Sequence, residues 1–107
     1  IEVLREYGLE KKVFTAGADA DLINCQFIVR GIQSMDVLKD IRPLAEKAVE
    51  VAPALITGRE VRFDKKIFNG KTEVKTIFVP VQEVNRANID EVIIKSGFHS
   101  RKEVYGE

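Results

Sequence analysis

Two strand-to-helix units stand in tandem in the first half of the chain, and they constrain the fold more than any other feature. The run "KVFTAG" (12–17) has the β-branched and aromatic content of a short buried strand. The following "DADLINCQFIVRG" turns to helical periodicity through Leu22, Cys25, Ile28 and Val29. The pattern then repeats. "IQSMDV" (32–37) sets Ile32, Ser34 and Asp36 against Gln33, Met35 and Val37 in alternation, and "KDIRPLAEKAVEVAPALITG" (39–58) runs helically to a stop at Gly58. Consecutive strands joined through a helix pair in parallel, because parallel neighbours need a crossover connection. The expected class is therefore α/β, a parallel sheet covered by helices. Pro43 suits the first turn of the second helix, whereas Pro53 lies inside the pattern and is predicted to kink that helix or end it early.

The flanks have a different character. In "IEVLREYG", Ile1, Val3, Leu4 and Tyr7 recur at helical spacing and Gly8 suits the left-handed residue after a helix end. No capping signal precedes them, so the segment reads as the end of a longer helix. "VRFDKKIFNGKTEVKTIFVPVQEV" (61–84) is strand-like, with a turn signal at Asn69-Gly70. Pro80 confines its second run to an edge, a bulge or a crossing segment. A hairpin or paired linker is expected there. Asn85 or Asn88 is expected to cap a short last helix, "IDEVIIKSG", closed by Gly97. The resulting division is 1–61 for the strand-helix units, 62–84 for the hairpin and crossing segment, and 85–107 for the terminal helix and tail.

Composition excludes several classes of function. A length of 107 residues fits a single core. Seventeen basic and seventeen acidic side chains cancel without forming blocks of one sign, so nucleic acid is not an expected partner. No apolar run approaches the roughly eighteen residues of a membrane span. Cys25 is the one cysteine, which rules out an internal disulfide and a thiolate metal cluster, and it reads as a small residue on the buried face of a helix. His99 is the sole histidine and reads as a surface or packing residue. Motifs of the forms G-x-S-x-G, H-E-x-x-H, G-x-x-x-x-G-K-[ST] and G-x-G-x-x-G are lacking, so neither an enzyme nor a cofactor is expected.

The chemistry to explain is "TAGADAD" (15–21), which places Asp19 and Asp21 around small residues at the strand-to-helix junction. Ligands of open parallel sheets bind beyond the carboxyl ends of the strands, where Asp19 falls, and Lys39 takes the equivalent place after the next strand. Asp19 or Asp21 could instead cap the helix by accepting backbone N–H groups. A calcium loop counted from Asp19 would need glycine and glutamate where Asn24 and Arg30 stand, so a metal site is not expected. A lysine at a helix start opposes the helix dipole and needs another reason to be there.

"AGADADL", "GIQSMDVLKDIRPLA" and "FNGKTEVKTIFVPVQEVNRANIDEVIIKSGFHSRKEV" together resemble the C-terminal part of D-xylose-binding proteins, receptors of sugar ABC transporters, over nearly the whole chain. The resemblance implies part of the C-terminal lobe of a two-lobed (type I) binding protein, with hinge-crossing strands near its end and a monosaccharide closed between lobes. It implies that Asp19 and Lys39 contact the sugar and that Asp21 supports the helix start. Where the family often has aromatic-lysine-proline, this chain reads Leu38-Lys39-Asp40. The implied partners are a monosaccharide, D-xylose foremost, the missing N-terminal lobe, which a companion chain could supply, and a membrane permease. A sensor histidine kinase in place of the permease, or the effector-binding core of a LacI-type regulator, is the alternative. The implied location is extracytoplasmic, periplasmic or lipid-anchored.

Overall fold

The computed structural model describes residues 1–106. The chain forms two compact units, one comprising Ile1–Lys39 and the segment from Val81 onward, the other Asp40–Pro80. These boundaries differ from the pattern-based division at 61 and 84, because the helix of the second strand-helix unit groups with the hairpin that follows it.

In the first unit, helix α1 (Glu2–Glu6) ends in a Schellman turn. Gly8 adopts φ +64°, and the Leu9 amide bonds the Leu4 carbonyl at 2.8 Å. Residues 15–19 then run parallel to strand β1 (Met35–Leu38). Gly17 N–H bonds the Met35 carbonyl (3.1 Å), Val37 N–H the Gly17 carbonyl (3.2 Å), and Asp19 N–H the Val37 carbonyl (2.8 Å). The pairing expected of the tandem units is present, although the first strand is reduced to a single parallel bridge, Ala16 with Met35. Helix α2 (Leu22–Val29) makes the crossover between the two. The other edge of β1 is taken by β4 (Gln82–Asn85), antiparallel with Met35 opposite Asn85 and Leu38 opposite Gln82.

A π-helical turn (Asp90–Lys95) and helix α4 (Arg101–Tyr105) complete this unit. The expected caps of the last helix act differently. Asn88 turns its side-chain oxygen back to the Asn85 amide (2.8 Å), and Ile89 is the N-cap. Gly97 does close the segment, at φ +73° with Phe98 N–H on the Ile93 carbonyl. Helix α4 replaces the expected tail: Ser100 and Glu103 form a reciprocal capping box, the S-x-x-E signature present in "SRKE". The core gathers Ala20, Cys25, Ile28, Leu38, Val84, Ile89, Ile93 and Val104. All come from this unit, and burial of such apolar side chains is what holds its short elements together.

The second unit pairs helix α3 (Ile41–Ile56) with a hairpin of β2 (Lys65–Phe68) and β3 (Glu73–Thr76). Asp40 is the N-cap of α3, its carboxylate accepting the Arg42 amide at 2.9 Å. The helix does not end early at Pro53; it continues to Ile56 and closes at Gly58 (φ +67°) with Arg59 N–H on the Ala54 carbonyl. With three residues left beyond it, Pro53 forfeits one backbone bond without ending the helix. At the hairpin tip the Asn69 side-chain oxygen accepts the Lys71 and Thr72 amides, both at 3.0 Å, and Gly70 sits at φ +93°. The strand-like run after the tip is broken around Pro80, since a residue without N–H cannot continue a ladder, and β3 and β4 belong to different sheets. No side chain described in this unit is fully buried, and Ile41, Leu44, Leu55 and Ile56 of α3 remain exposed.

Candidate functional site

Asp19 and Lys39 meet. They follow neighbouring parallel segments at their carboxyl ends, and Lys39 Nζ lies 2.8 Å from Asp19 Oδ1 with both side chains more than half exposed. The hydrogen bond to Asp19, and then its charge, raise the lysine pKa above its ordinary value. This pairing supplies the reason for a lysine immediately before the helix start: Asp40 satisfies the cap, and Lys39 turns to a carboxylate across the rim.

Asp19 is free to do this because the chain turns left-handed at two successive non-glycine residues, Asp19 (φ +78°) and Ala20 (φ +51°). Such conformations cost about 1–2 kcal/mol per residue and persist where surrounding structure over-determines them. Asp21, not Asp19, occupies the N-cap of α2. Its carbonyl accepts the Cys25 amide at 3.0 Å, while its side chain makes no capping bond, so the support expected from it comes from the backbone.

What holds the turn is Asp36, which the sequence reading placed in a strand alternation without assigning it a role. Its side chain is completely buried. Oδ1 accepts the amides of Ala20 (2.9 Å) and Val37 (2.8 Å), while Oδ2 accepts the side-chain amides of Asn24 (3.0 Å) and Gln33 (2.9 Å). A buried carboxyl group with both oxygens so engaged is a satisfied structural acceptor. It needs room: a Cβ on Gly17 would stand 2.2 Å from Oδ2. The available signal was an aspartate within an otherwise apolar "MDVL".

The Ala20 carbonyl is held too. His99 Nε2 lies 3.0 Å from it and the Cys25 thiol 3.4 Å. Burial, then the nearby Asp36 and Asp21 charges, push the Cys25 thiol up to about 11, so at neutral pH it is an inert hydrogen-bond donor. His99 also receives the edge of Phe98, with ring centroids 4.8 Å apart. A separate cavity of about 560 Å³ lies in the Asp40–Pro80 unit between α3 and the segment around Arg59–Asp64, and includes neither Asp19 nor Lys39. Its lining mixes Lys47, Glu50, Arg59, Glu60, Arg62 and Asp64 without an organised polar centre.

No family model matches the chain. Comparison with known proteins is informative nonetheless. It is 37% identical over 105 residues to the D-xylose-binding periplasmic protein of Haemophilus influenzae, covering 98% of this chain and 32% of that protein. With the D-xylose-binding periplasmic protein of Escherichia coli the identity is 38% over 104 residues, 97% of this chain and 32% of the relative. The chain thus spans about a third of the length of these relatives. Among solved structures, a carbohydrate transporter solute-binding protein from Chloroflexus aurantiacus in complex with D-glucose superposes with a TM-score of 0.76 at 37% identity, over 84% of this chain and 26% of that one. By sequence and by fold, the chain is homologous to a portion of the D-xylose-binding periplasmic proteins and carries the corresponding part of a periplasmic sugar-binding fold.

Proposed function

We propose that the chain is the C-terminal sugar-holding portion of a two-lobed monosaccharide receptor, D-xylose being the first candidate ligand, which delivers its sugar to an ABC transporter by lobe closure. The observation that carries this reading is the exposed Asp19–Lys39 pair on one rim, an acceptor and a donor 2.8 Å apart. A sugar hydroxyl both donates and accepts, so adjacent hydroxyls can bond the carboxylate while the ammonium donates to another hydroxyl or to the ring oxygen. In the open receptor the two groups neutralise each other in water, where such a pair is weak and easily opened. Closure of the second lobe would exclude water and strengthen both contacts, and an epimer would leave one buried group unpaired at a cost of about 1–3 kcal/mol.

No bond is made or broken in this scheme; the closed conformation is the signal that the membrane partner reads. At the family level the relatives are sugar-binding transport proteins rather than enzymes. Their periplasmic designation supports an extracytoplasmic location and does not favour a DNA-binding regulator. The second lobe is proposed to come from the remaining two-thirds of the receptor length, in the same polypeptide or in a companion chain.

Calorimetric titration of D-xylose into the product of the whole gene tests the reading. Saturable binding is expected, abolished by Asp19→Ala with the fold retained and weakened less by Lys39→Met. Undiminished affinity in a folded Asp19→Ala protein would remove Asp19 from the site, and absence of heat with wild type would remove D-xylose as the ligand.

A further inference from the structure

Resting on that reading, we infer that His99 is a positioning residue for the sugar site: its ring holds the left-handed Asp19–Ala20 turn in the conformation that presents the Asp19 carboxylate. His99 lies 79 residues along the chain from Ala20, yet its Nε2 is 3.0 Å from the Ala20 carbonyl. A carbonyl oxygen only accepts, so Nε2 carries the hydrogen and donates. The contact closes a set of restraints. Asp19 N–H is bound by the Val37 carbonyl, Ala20 N–H by Asp36, and the Ala20 carbonyl by His99 and Cys25.

Each restraint acts on a residue in the left-handed region or on its neighbouring peptide group. Were Asp19 to relax to an ordinary backbone conformation, its carboxylate would no longer be directed across the rim to Lys39. Ala20 has no side-chain polar group and is completely buried, so only its backbone can be gripped. The Cys25 thiol is the weaker donor of the two at that carbonyl, leaving the imidazole as the principal one. His99 bonds the Ala20 carbonyl, whereas the carboxylate of Asp19 pairs with Lys39, so the effect of His99 on the sugar would pass through the backbone.

The test compares His99→Leu, which keeps bulk and removes the donor, with His99→Gln, whose side-chain amide places a donor at about the reach of Nε2. Both are made in the product of the whole gene, with D-xylose affinity by calorimetry and stability by urea denaturation measured together. Loss of one positioning hydrogen bond predicts binding about five- to tenfold weaker in His99→Leu, at a temperature where the protein remains folded, and recovery to within about twofold in His99→Gln. If His99→Leu does not fold, His99→Asn takes its place, since its amide stops short of the carbonyl, and the same loss relative to His99→Gln is expected.

Unchanged affinity in a folded donor-less variant overturns the inference, as does an equal loss in the leucine and glutamine variants. A drop in stability alone, with the sugar affinity intact, assigns His99 to packing and overturns it too. Failure of the wild-type protein to bind D-xylose is a different result: it overturns the receptor reading for that sugar, and with it the role given to His99.

Discussion

Gly17→Ala tests the packing beneath the site directly. The added Cβ would stand 2.2 Å from Asp36 Oδ2, 2.7 Å from Gln33 Nε2 and 3.1 Å from Asn24 Nδ2. Gly17 is not among the glycines with positive φ, so the cost arises from contact rather than from backbone conformation. Asp36 cannot yield freely, because Oδ1 is bound by two backbone amides that are themselves fixed in the turn and in β1. Overpacking of this kind costs about 1–3 kcal/mol, and displacing Oδ2 forfeits the Asn24 and Gln33 bonds at about 1 kcal/mol each, for a total of about 3–5 kcal/mol. That is a large share of the roughly 5–15 kcal/mol that holds a domain folded. Urea denaturation of the product of the whole gene, followed by circular dichroism, measures it. Adding Asp36→Ala removes the nearest obstructing atom and releases the Gln33 and Asn24 amides that it holds in place, so the same glycine substitution on that background should cost less than about 1 kcal/mol, a coupling of at least about 2 kcal/mol. A cost below about 1 kcal/mol in the native background, or an equal cost in both, would refute the reasoning.

Other expectations concern single groups. The folded Cys25 thiol titrates near 11 against an ordinary 9.0. Between those values the unfolded chain releases its proton first, so stability should fall as pH rises, by up to about 1.4 kcal/mol per pH unit, and Cys25→Ala should flatten the slope measured by denaturation at stepped pH. Asp40→Ala should destabilise the unit containing α3 by about 1 kcal/mol through loss of its N-cap, with faster amide exchange at Arg42, and Asp40→Asn should restore most of it. Its hydrogen bonds, first to the Arg42 side chain and then to the Arg42 amide, hold the Asp40 carboxyl below its usual 3.8. The carboxylate's contribution is therefore present at neutral pH and lost in acid as pH falls through that lowered value, and an acid titration that left the protection of the Arg42 amide, relative to intrinsic exchange at each pH, unchanged would contradict it.

Much of the fold was legible because its signals are local. Gly8, Gly58 and Gly97 mark helix ends in the sequence and each takes the left-handed conformation that a helix stop requires. The tandem strand-helix pattern foretold parallel pairing, and residues 15–19 do pair in parallel with β1. Less was legible where the outcome depended on distance or on competition. The Pro53 rule addresses one lost bond and cannot weigh the remaining turn of α3, which persists to Ile56. The S-x-x-E box "SRKE" is a local signal for α4 within the segment expected to be tail. The burial of Asp36 could not be read from its strand, because alternation alone does not say which face will be covered.

For the site, the order of residues along the chain determined that Asp19 and Lys39 would follow successive strands of a parallel pair, since that follows from periodicity and chain connectivity. Whether Asp19 caps α2 or faces Lys39 was beyond periodicity, because both roles suit an aspartate at a strand-to-helix junction. The tertiary structure decided it through groups far along the chain: Asp36 takes the Ala20 amide, His99 takes the Ala20 carbonyl, and the resulting left-handed turn sends the Asp19 carboxylate to Lys39. A strained backbone needs several simultaneous partners to persist, and only folding brings those partners together.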